Sequence, residues 1–364
     1  MNNALKNLIR PHYLGLQGYV SAGMESDKTA DKIFMNANEN PYELPGLETF
    51  NRYPEPQPKA LAEAYANAYN VETNQIVMTR GADEAIVILT KLFCEPHKDG
   101  VIICPPTFGM YGVNANATPA SLIEVPLRKL HDTFQLDKDA IIKAAYNPDN
   151  AVKLAYICSP NNPTANSFSH NDILEITKEL EGQAIVILDE TYAEFSREGS
   201  LTGALADHPN LIILRTLSKS YSMAGMRMGC FIAHDREFIA LVKAKALDAY
   251  PLPHASVDAA LHVLSDEIQE IAKDNIQKLL DERDRLKNEL RSRNKIKHVY
   301  PSDANFLFVE MDHASEFIEF CAAHDLILRD FSSKPDTENC IRISVGTPQQ
   351  NDLLLKLLGE FKND

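Results

Sequence analysis

Short apolar runs rich in β-branched residues recur between about residues 74 and 233, and each run ends in a polar or turn-rich segment. Those that stand out are QIVMT, VIIC, LAYIC, AIVIL, LIIL and GCFIA. Helix-like stretches separate several of these runs, which is typical of a mainly parallel sheet with helices on both faces. Ligands of such folds bind beyond the carboxyl ends of the strands, so we expect the polar segments to converge on one crevice.

The pattern changes near Tyr250, where two prolines precede a long amphipathic segment. Apolar residues at helical spacing predict one helix over about 265–293. The later runs ANFLFVEM, ILRDFS and NCIRISVG, with two further helical stretches, are typical of a small α+β domain. We predict an N-terminal arm over 1–30 that packs on the small domain or on a dimer partner, a large domain over 31–250 and a small domain over 251–364.

The net charge of −15 disfavours nucleic acids and acidic membrane surfaces as partners, because like charges repel on approach. A small metabolite remains open, and an anionic one can still bind where a few arginines line one cleft. No run is long and apolar enough for a signal peptide or a membrane span, so we expect a cytoplasmic protein. The six cysteines are scattered without close pairs, which indicates reduced, mostly buried thiols.

A lysine that follows a strand is in most proteins a surface charge, since lysine is mostly exposed. Lys219 has unusual neighbours. It follows the apolar run LIIL, with Thr216 and Ser218 just before it, and Arg227 lies eight positions later. A lysine that forms a Schiff base needs a desolvated or cation-rich site that lowers the pKa of its amine, and a phosphate-bearing cofactor needs hydroxyls and an arginine. Thr216, Ser218 and Arg227 supply those groups.

Asp189 ends the run AIVIL, where a carboxylate can pair with the ring nitrogen of a pyridine cofactor. Such a pair keeps the nitrogen protonated, so that the ring withdraws electrons from the substrate Cα. The alternative is that Asp189 only caps the following turn. Tyr192 and Asn162 are candidate hydrogen-bond donors to the phenolic oxygen of the same ring.

The turn Gly81-Ala82-Asp83-Glu84 lies between a predicted strand and a predicted helix. Exposed backbone N–H groups at a helix start bind anions, so a cofactor phosphate is expected here; the alternative is that the turn only starts the helix. Phe108, in PPTFGMY, is a candidate to lie flat against the pyridine ring. The alternative for Phe108 is an ordinary core aromatic.

Eight segments in order along the chain carry a resemblance to a known family. They are NANENP at 36–41, RYPEPQP at 52–58, RGADEA at 80–85, PPTFGMY at 105–111, SPNNPT at 159–164, LDETYAEF at 188–195, RTLSKSYSMAGMRMG at 215–229 and CIRISVGT at 340–347. The sequence resembles the fold-type I pyridoxal 5′-phosphate (PLP) aminotransferases, and among them the histidinol-phosphate aminotransferases. The resemblance implies PLP as the cofactor and an α/β fold whose large domain has a mainly parallel seven-stranded sheet.

The resemblance also implies roles for the matching residues. Lys219 matches the lysine that binds PLP covalently, and Asp189 matches the partner of the ring nitrogen. Asn162 and Tyr192 match the groups on the ring oxygen, and Tyr192 and Asp189 join Lys219 as catalytic candidates. Tyr53 matches a tyrosine that crosses a dimer interface to the neighbour's cofactor phosphate, so a homodimer is implied. The phosphate site itself matches Ala82, Asp83, Thr216, Ser218 and Arg227.

Three positions match substrate-binding residues. Arg342 matches an arginine that clamps the α-carboxyl end of the substrate, Arg329 one that helps to bind the substrate phosphate, and Tyr19, in GYVSA, a tyrosine of the substrate pocket. Histidinol phosphate has an alcohol where glutamate has its α-carboxylate, so we expect Arg342 to pair with the carboxylate of one substrate and the phosphate of the other.

Two positions depart from the family pattern. Ala165 stands where the family usually has glycine, which predicts a turn that avoids a strongly glycine-specific backbone conformation. Phe108 stands where related enzymes often have tyrosine, which keeps ring stacking but loses a hydroxyl. Neither departure touches the covalent chemistry.

The activity that the resemblance implies is transamination between L-glutamate and imidazole acetol phosphate, a step of histidine biosynthesis. Alternatives on the same scaffold are an aromatic or broad-range aminotransferase and a threonine-phosphate decarboxylase, which also needs an arginine-lined anion site. A remote alternative is a non-catalytic PLP-binding regulatory domain. No metal site is expected, because the eleven histidines show no HExxH or comparable spacing.

Overall fold

The computed structural model describes residues 1, 3–18, 33–332 and 336–362. Strands and helices alternate through the large domain, as the apolar pattern predicts. The strands, in chain order, are β1 (Ile76–Thr79), β2 (Gly100–Ile103), β3 (Ser121–Glu124), β4 (Arg128–Lys129), β5 (Phe134–Gln135), β6 (Val152–Cys158), β7 (Ile185–Asp189), β8 (Leu211–Thr216), β9 (Gly229–Ala233), β10 (Ile296–Val299), β11 (Phe306–Met311), β12 (Arg329–Asp330) and β13 (Cys340–Ser344). The helices are α1 (Asn3–Leu8), α2 (Pro11–Gly15), α3 (Lys59–Tyr69), α4 (Gly81–Phe93), α5 (Met110–Ala117), α6 (Lys138–Tyr146), α7 (His170–Glu179), α8 (Arg236–Lys245), α9 (His254–Val263), α10 (Asp266–Arg291), α11 (Ala314–Ala322) and α12 (Pro348–Glu360).

Within the described residues, seven strands form one sheet in the order β1-β9-β8-β7-β6-β2-β3. Strand β9 runs antiparallel to both of its neighbours, and the other adjacent pairs are parallel. The central strands β7 and β8 are buried along their whole length, which is why they read as continuous Val, Ile and Leu runs. The predicted mainly parallel seven-stranded sheet is confirmed.

Helices cover both faces of this sheet, and alternate residues of each strand point to opposite cores. In β8, Ile213 packs with α3, α6, α7 and α9, whereas Ile212 and Leu214 pack with α4, α5 and α8. The two cores hold the sheet rigidly from both sides, so the ends of its strands have fixed positions.

A second sheet of antiparallel strands, in the order β10-β11-β13-β12, forms the α+β part near the C-terminus. Its outer face packs on α10, α11 and α12, and its other face joins the core of the large sheet through Phe306 and Phe308. Residues of β13 alternate between these faces, so Arg342 lies on the same face as Cys340, toward the large sheet. Helix α10 matches the predicted long amphipathic helix, whereas the boundary near 250 stays a prediction.

The described part of the N-terminal arm packs on the large sheet's helix layer. Leu5, Leu8 and Ile9 are buried in the core that contains α4 and α8. Arg10 pairs with Glu95 at 2.8 Å between Nε and Oε2. Residues 3–15 therefore contact the large domain, although we expected the arm to pack on the small domain or on a dimer partner; the partner contact stays a prediction.

Two expectations from composition bear on this fold. The six cysteines are free and buried, as predicted. Among the described residues, no helix combines the length and the apolar character that crossing a bilayer requires.

The carboxyl ends of β6, β7 and β8 lie side by side. Cys158 at the end of β6 is in register with Asp189 at the end of β7, and Asp189 is in register with Leu214 of β8. The polar residues that follow these strands therefore open into one crevice, which the chain order of the apolar runs predicts.

Candidate active site

A cavity of about 190 Å³ lies at the carboxyl ends of these strands, next to the start of α4. The small-domain strand β13 contributes one wall. Eleven of the predicted site residues line it, namely Ala82, Asp83, Phe108, Asn162, Asp189, Tyr192, Thr216, Ser218, Lys219, Arg227 and Arg342. The tertiary structure thus gathers residues from Ala82 to Arg342, which lie far apart in the sequence.

Asp189 lines the cavity and is only 3% exposed. Its Oδ2 accepts a hydrogen bond from the Tyr111 hydroxyl at 2.6 Å. Its Oδ1 accepts from the Thr191 backbone N–H at 3.0 Å and from the Thr191 hydroxyl at 2.6 Å. Burial raises the pKa of Asp189, whereas the hydrogen bonds from Thr191 and Tyr111 lower it. Because Asp189 lines the cavity and also accepts from Tyr111 of α5, it does more than cap the following turn.

Lys219 follows β8 and lines the cavity as an exposed side chain. The surrounding protein partly desolvates its ammonium group and lowers the pKa of Lys219. The positive charges of Arg342 and Arg227 lower this pKa further, while Asp83 and Asp189 act in the opposite direction. The site therefore favours the neutral, nucleophilic amine more than a surface lysine would.

The start of α4 forms an anion site with the residues that follow β8. The Arg227 Nη2 donates to Asp83 Oδ2 at 2.8 Å, which fixes the guanidinium beside the first turn of the helix. The Thr216 and Ser218 hydroxyl oxygens lie 3.0 Å apart. Gly81 has a φ of +76°, as the turn requires, and a Cβ there would lie 2.8 Å from Arg227 Nη2.

Asn162, Tyr192 and Arg342 meet on the opposite side of the cavity. Arg342 Nη1 donates to Asn162 Oδ1 at 2.6 Å. Tyr192 packs edge to face on Phe306, with ring centroids 5.3 Å apart, and burial raises the pKa of its hydroxyl. The Arg342 guanidinium lies 5.2 Å from the Phe306 ring centroid. These contacts join the small domain to the cavity wall.

Two of the remaining predicted site residues, Arg329 and Tyr53, do not line this cavity. Arg329 is exposed on β12, and its Cα is the cross-strand partner of Arg342. Tyr53 is 48% exposed and stacks on Tyr250 with ring centroids 4.1 Å apart, in a separate surface depression. Tyr19 lies outside the described residues.

A buried ion pair lies behind the site. Arg215 Nη1 donates to Glu190 Oε2 at 2.8 Å, and a second amino group of Arg215 donates to Glu194. Arg215 comes directly before Thr216, and Glu190 directly after Asp189. The ion pair therefore ties together the two loops that carry most of the site.

Three residues that the sequence did not single out line or support the cavity, namely Tyr111, Thr191 and Cys158. Thr191 lies inside the matched segment LDETYAEF, and Tyr111 ends the matched segment PPTFGMY. Nothing in the local pattern shows that the Tyr111 hydroxyl meets a carboxylate 78 positions later. Only the segment match was available as a signal.

The expectation for Ala165 is wrong. Its φ is +69°, in the left-handed region that glycine adopts most easily. Its backbone N–H donates to the Asn161 carbonyl at 2.9 Å, and its own carbonyl accepts from Asp303 N at 2.8 Å. The surrounding hydrogen bonds hold the alanine in this conformation.

The donor groups of the cavity fit PLP. A helix start, two hydroxyls and Arg227 suit the phosphate, Asp189 suits the ring nitrogen, and the Lys219 amine suits the aldehyde. A family model of the class I and II aminotransferases matches residues 23–358. The chain belongs to this family. Aminotransferases of this class depend on PLP, so the predicted cofactor is confirmed.

Two histidinol-phosphate aminotransferases are similar to all or most of this chain. A histidinol-phosphate aminotransferase of Buchnera aphidicola subsp. Schizaphis graminum is 38% identical and covers 100% of this chain and 99% of its own. The structure of the Sinorhizobium meliloti histidinol-phosphate aminotransferase in complex with PLP has a TM-score of 0.76 at 23% identity and covers 85% of this chain and 82% of its own.

The fold of this aminotransferase is shared by enzymes of other reactions. The L-threonine-O-3-phosphate decarboxylase of Porphyromonas gingivalis has a TM-score of 0.70 at 21% identity and covers 86% of this chain and 91% of its own. The fold prediction is confirmed, but the fold alone does not select between transamination and decarboxylation.

Proposed function

We propose that this chain transfers the amino group of L-glutamate to imidazole acetol phosphate, giving L-histidinol phosphate and 2-oxoglutarate in histidine biosynthesis. The observation that carries the proposal is the pair Arg342 and Arg329, directly opposite on adjacent strands beside a cavity that holds Lys219 and Asp189. Two arginines at this point suit a substrate with a strongly anionic end. The full-length similarity to histidinol-phosphate aminotransferases supports the same reaction.

Lys219 is the residue that binds PLP and moves the proton. Bound PLP supplies the electron sink that accepts the electron pair released when the substrate Cα–H bond breaks. The Lys219 Nζ, whose pKa the site lowers, takes the proton from Cα and returns it one step later. Asp189 would pair with the ring nitrogen and favour its protonated form, because hydrogen bonds from Tyr111 and Thr191 oppose the rise that burial causes in the pKa of its carboxyl.

The remaining groups of the cavity orient the cofactor. The start of α4, Thr216, Ser218 and Arg227 bind the phosphate. The Asn162 amide, whose oxygen already accepts from Arg342, and the Tyr192 hydroxyl donate to the ring oxygen. The set of cofactor ligands on this chain is completed by Ala82, Asp83 and Phe108.

The two arginines bind the substrates in turn. Arg342 forms a bidentate pair with the α-carboxylate of glutamate, and with Arg329 it binds the phosphate of the second substrate. Like charges directly opposite on adjacent strands repel, so an anion between them is stabilising for both. Tyr19 belongs to the proposed substrate pocket on the resemblance alone.

We also propose a cytoplasmic homodimer with two shared sites. Large apolar side chains of the segment 33–53 are exposed, for example Ile33, Met35 and Tyr42, which suits a surface covered by a second copy. Tyr53 lies in this segment, away from the cavity of its own chain. A Tyr53 that reaches the phosphate of the partner's cofactor satisfies both facts.

Mixing two inactive variants tests the shared site. Lys219→Ala and Tyr53→Ala each lack one required group, but a mixed dimer has one site with both. If subunits exchange freely, about a quarter of all sites are complete, and activity rises above that of either variant alone. A mixture with no such gain, in which exchange is demonstrated by differently tagged chains, contradicts the shared site.

A competition between acceptors tests the reaction. Purified protein with PLP and glutamate is offered imidazole acetol phosphate or phenylpyruvate, and kcat/KM is measured from 2-oxoglutarate formation. We expect the phosphorylated acceptor to be preferred by at least about 100-fold, because phenylpyruvate leaves the phosphate-binding arginine unpaired. Equal rates would favour a broad-range aminotransferase, CO₂ release from O-phosphothreonine a decarboxylase, and PLP binding without turnover a regulatory domain.

A further inference from the structure

The Asp189 carboxylate is held by more groups than its proposed role requires. Three donors reach it: the Tyr111 hydroxyl at 2.6 Å, the Thr191 hydroxyl at 2.6 Å and the Thr191 backbone N–H at 3.0 Å. A carboxylate offers about four lone-pair positions. Asp189 also lines the cavity, so the position left over is available to a ligand there.

Tyr111 is itself fixed in one place. It lies in the first turn of α5, is fully buried, and stacks on Tyr156 with ring centroids 4.7 Å apart and an interplanar angle of 10°. The hydroxyl of Tyr156 is bonded to Thr90 of α4 at 2.9 Å. The edge of the Phe108 ring meets Tyr111 at 5.6 Å between centroids. Tyr111 thus contacts both the carboxylate and the aromatic residue that are proposed to contact the cofactor ring.

We infer that Tyr111, together with Thr191, is a positioning residue for PLP: the two side chains hold the Asp189 carboxylate in place and aim it at the ring nitrogen. The inference rests on the proposed function, because that proposal places Asp189 against this nitrogen. Neither side chain needs to touch the cofactor nitrogen, since both act through the carboxylate.

The electrostatics of the pair agree with this role. Burial raises the pKa of Asp189, and the Thr191 and Tyr111 hydrogen bonds oppose that rise. Burial next to Asp189 raises the pKa of Tyr111 well above its ordinary value, so its hydroxyl stays protonated and stays a donor. Without Tyr111, a larger fraction of Asp189 would be the neutral acid, which does not stabilise a protonated ring nitrogen.

The experiment compares two ligands on the apoprotein by equilibrium dialysis. One ligand is PLP, and the other is the analogue in which a C–H group replaces the ring nitrogen. Tyr111→Phe removes only the tyrosine hydroxyl that donates to Asp189, and Thr191→Val removes the threonine hydroxyl that does the same. For each variant we expect the Kd for PLP to rise about tenfold, because the carboxylate that pairs with the ring nitrogen has lost a hydrogen-bond donor. The Kd for the analogue should change less than twofold, because the analogue has no ring nitrogen to pair with this carboxylate.

Tyr156→Phe is the matched control, since it removes the hydroxyl of the stacked partner and leaves Asp189 untouched. We expect both of its dissociation constants to equal those of the wild type. An equal loss of both ligands in Tyr111→Phe would show a packing role and overturn the inference, as would no loss of either. If Tyr111→Phe does not fold, Thr191→Val decides by the same criterion.

The wild-type chain separates this inference from the proposed function. If it binds PLP and sodium borohydride fixes the cofactor on Lys219, but the variants do not distinguish the two ligands, only the positioning role fails. If wild type binds no PLP at all, the placement of Asp189 fails, and both fall together.

Discussion

The two sides of the cavity differ in how far their polar groups are satisfied by the protein itself. On the large-domain side, Asp189 accepts three hydrogen bonds and Arg227 is paired with Asp83. On the small-domain side, Arg342 bonds to an amide oxygen, and its Nε is buried without a partner among the described residues. Arg329 lies opposite with the same charge.

This difference separates a cofactor site that is complete before binding from a substrate site that an anion must complete. Burial lowers the pKa of Arg342, Tyr192 acts in the opposite direction, and the charge of Arg329 lowers this pKa further. A resident cofactor needs permanent partners, whereas alternating substrates need charges that no protein group neutralises. The following variants test this contrast.

Lys219→Ala should have the largest effect. Loss of the amine removes both the covalent attachment and the proton carrier, so kcat/KM should fall by about 10⁴-fold. Mass spectrometry after borohydride treatment should find no cofactor on the chain. Because Lys219 is exposed, the melting temperature of the apoprotein should stay near that of the wild type. Cofactor fixed on the variant would show that another lysine has this role.

Arg342→Gln should weaken the use of both substrates without weakening the binding of PLP. We expect kcat/KM to fall about 100-fold for glutamate and for imidazole acetol phosphate, since a buried charge pair with each substrate is lost. The Kd for PLP should change less than about threefold, because the cofactor's permanent partners remain. If PLP binding weakens as much as substrate binding, the contrast between the two sides is wrong.

Arg329→Gln should have a smaller and selective effect. We expect the KM for imidazole acetol phosphate to rise about tenfold while the KM for glutamate stays unchanged, because Arg329 is proposed to contact only the phosphate. Arg329→Lys is the control, which keeps the charge and should recover part of the loss. Equal changes for both substrates would place Arg329 on the carboxylate as well.

The smallest expected effect concerns the stability of the apoprotein, which Asp189→Asn should raise slightly. Burial raises the pKa of Asp189 above its unfolded value, so folding is favoured at low pH and loses stability as pH rises through the folded pKa. At pH 8 the neutral variant should stabilise the apoprotein by about 1 kcal/mol, and the gain should shrink toward pH 4. Calorimetry of the apoproteins measures this difference. A variant less stable than wild type at pH 8 would show that the carboxylate is not strained.

The order of apolar and polar positions predicts the parallel sheet and the long helix α10, and it singles out Lys219, Asp189 and Arg227 as candidates for the site. A buried strand appears in the sequence as a continuous run of Val, Ile and Leu. The polar residue that ends each run can be read from the same stretch of sequence. Segment matching then added roles for Arg342 and Asn162, whose neighbours alone do not reveal them.

The hydrogen-bond partners of those residues become visible only in the folded chain. The Tyr111 hydroxyl reaches Asp189 because two strands and a helix bring positions 111 and 189 together, and the left-handed backbone of Ala165 is held by bonds to distant residues. Contacts of this kind depend on packing between elements far apart in the chain. The local structural preferences of residues do not depend on such contacts, so a sequence pattern cannot predict them.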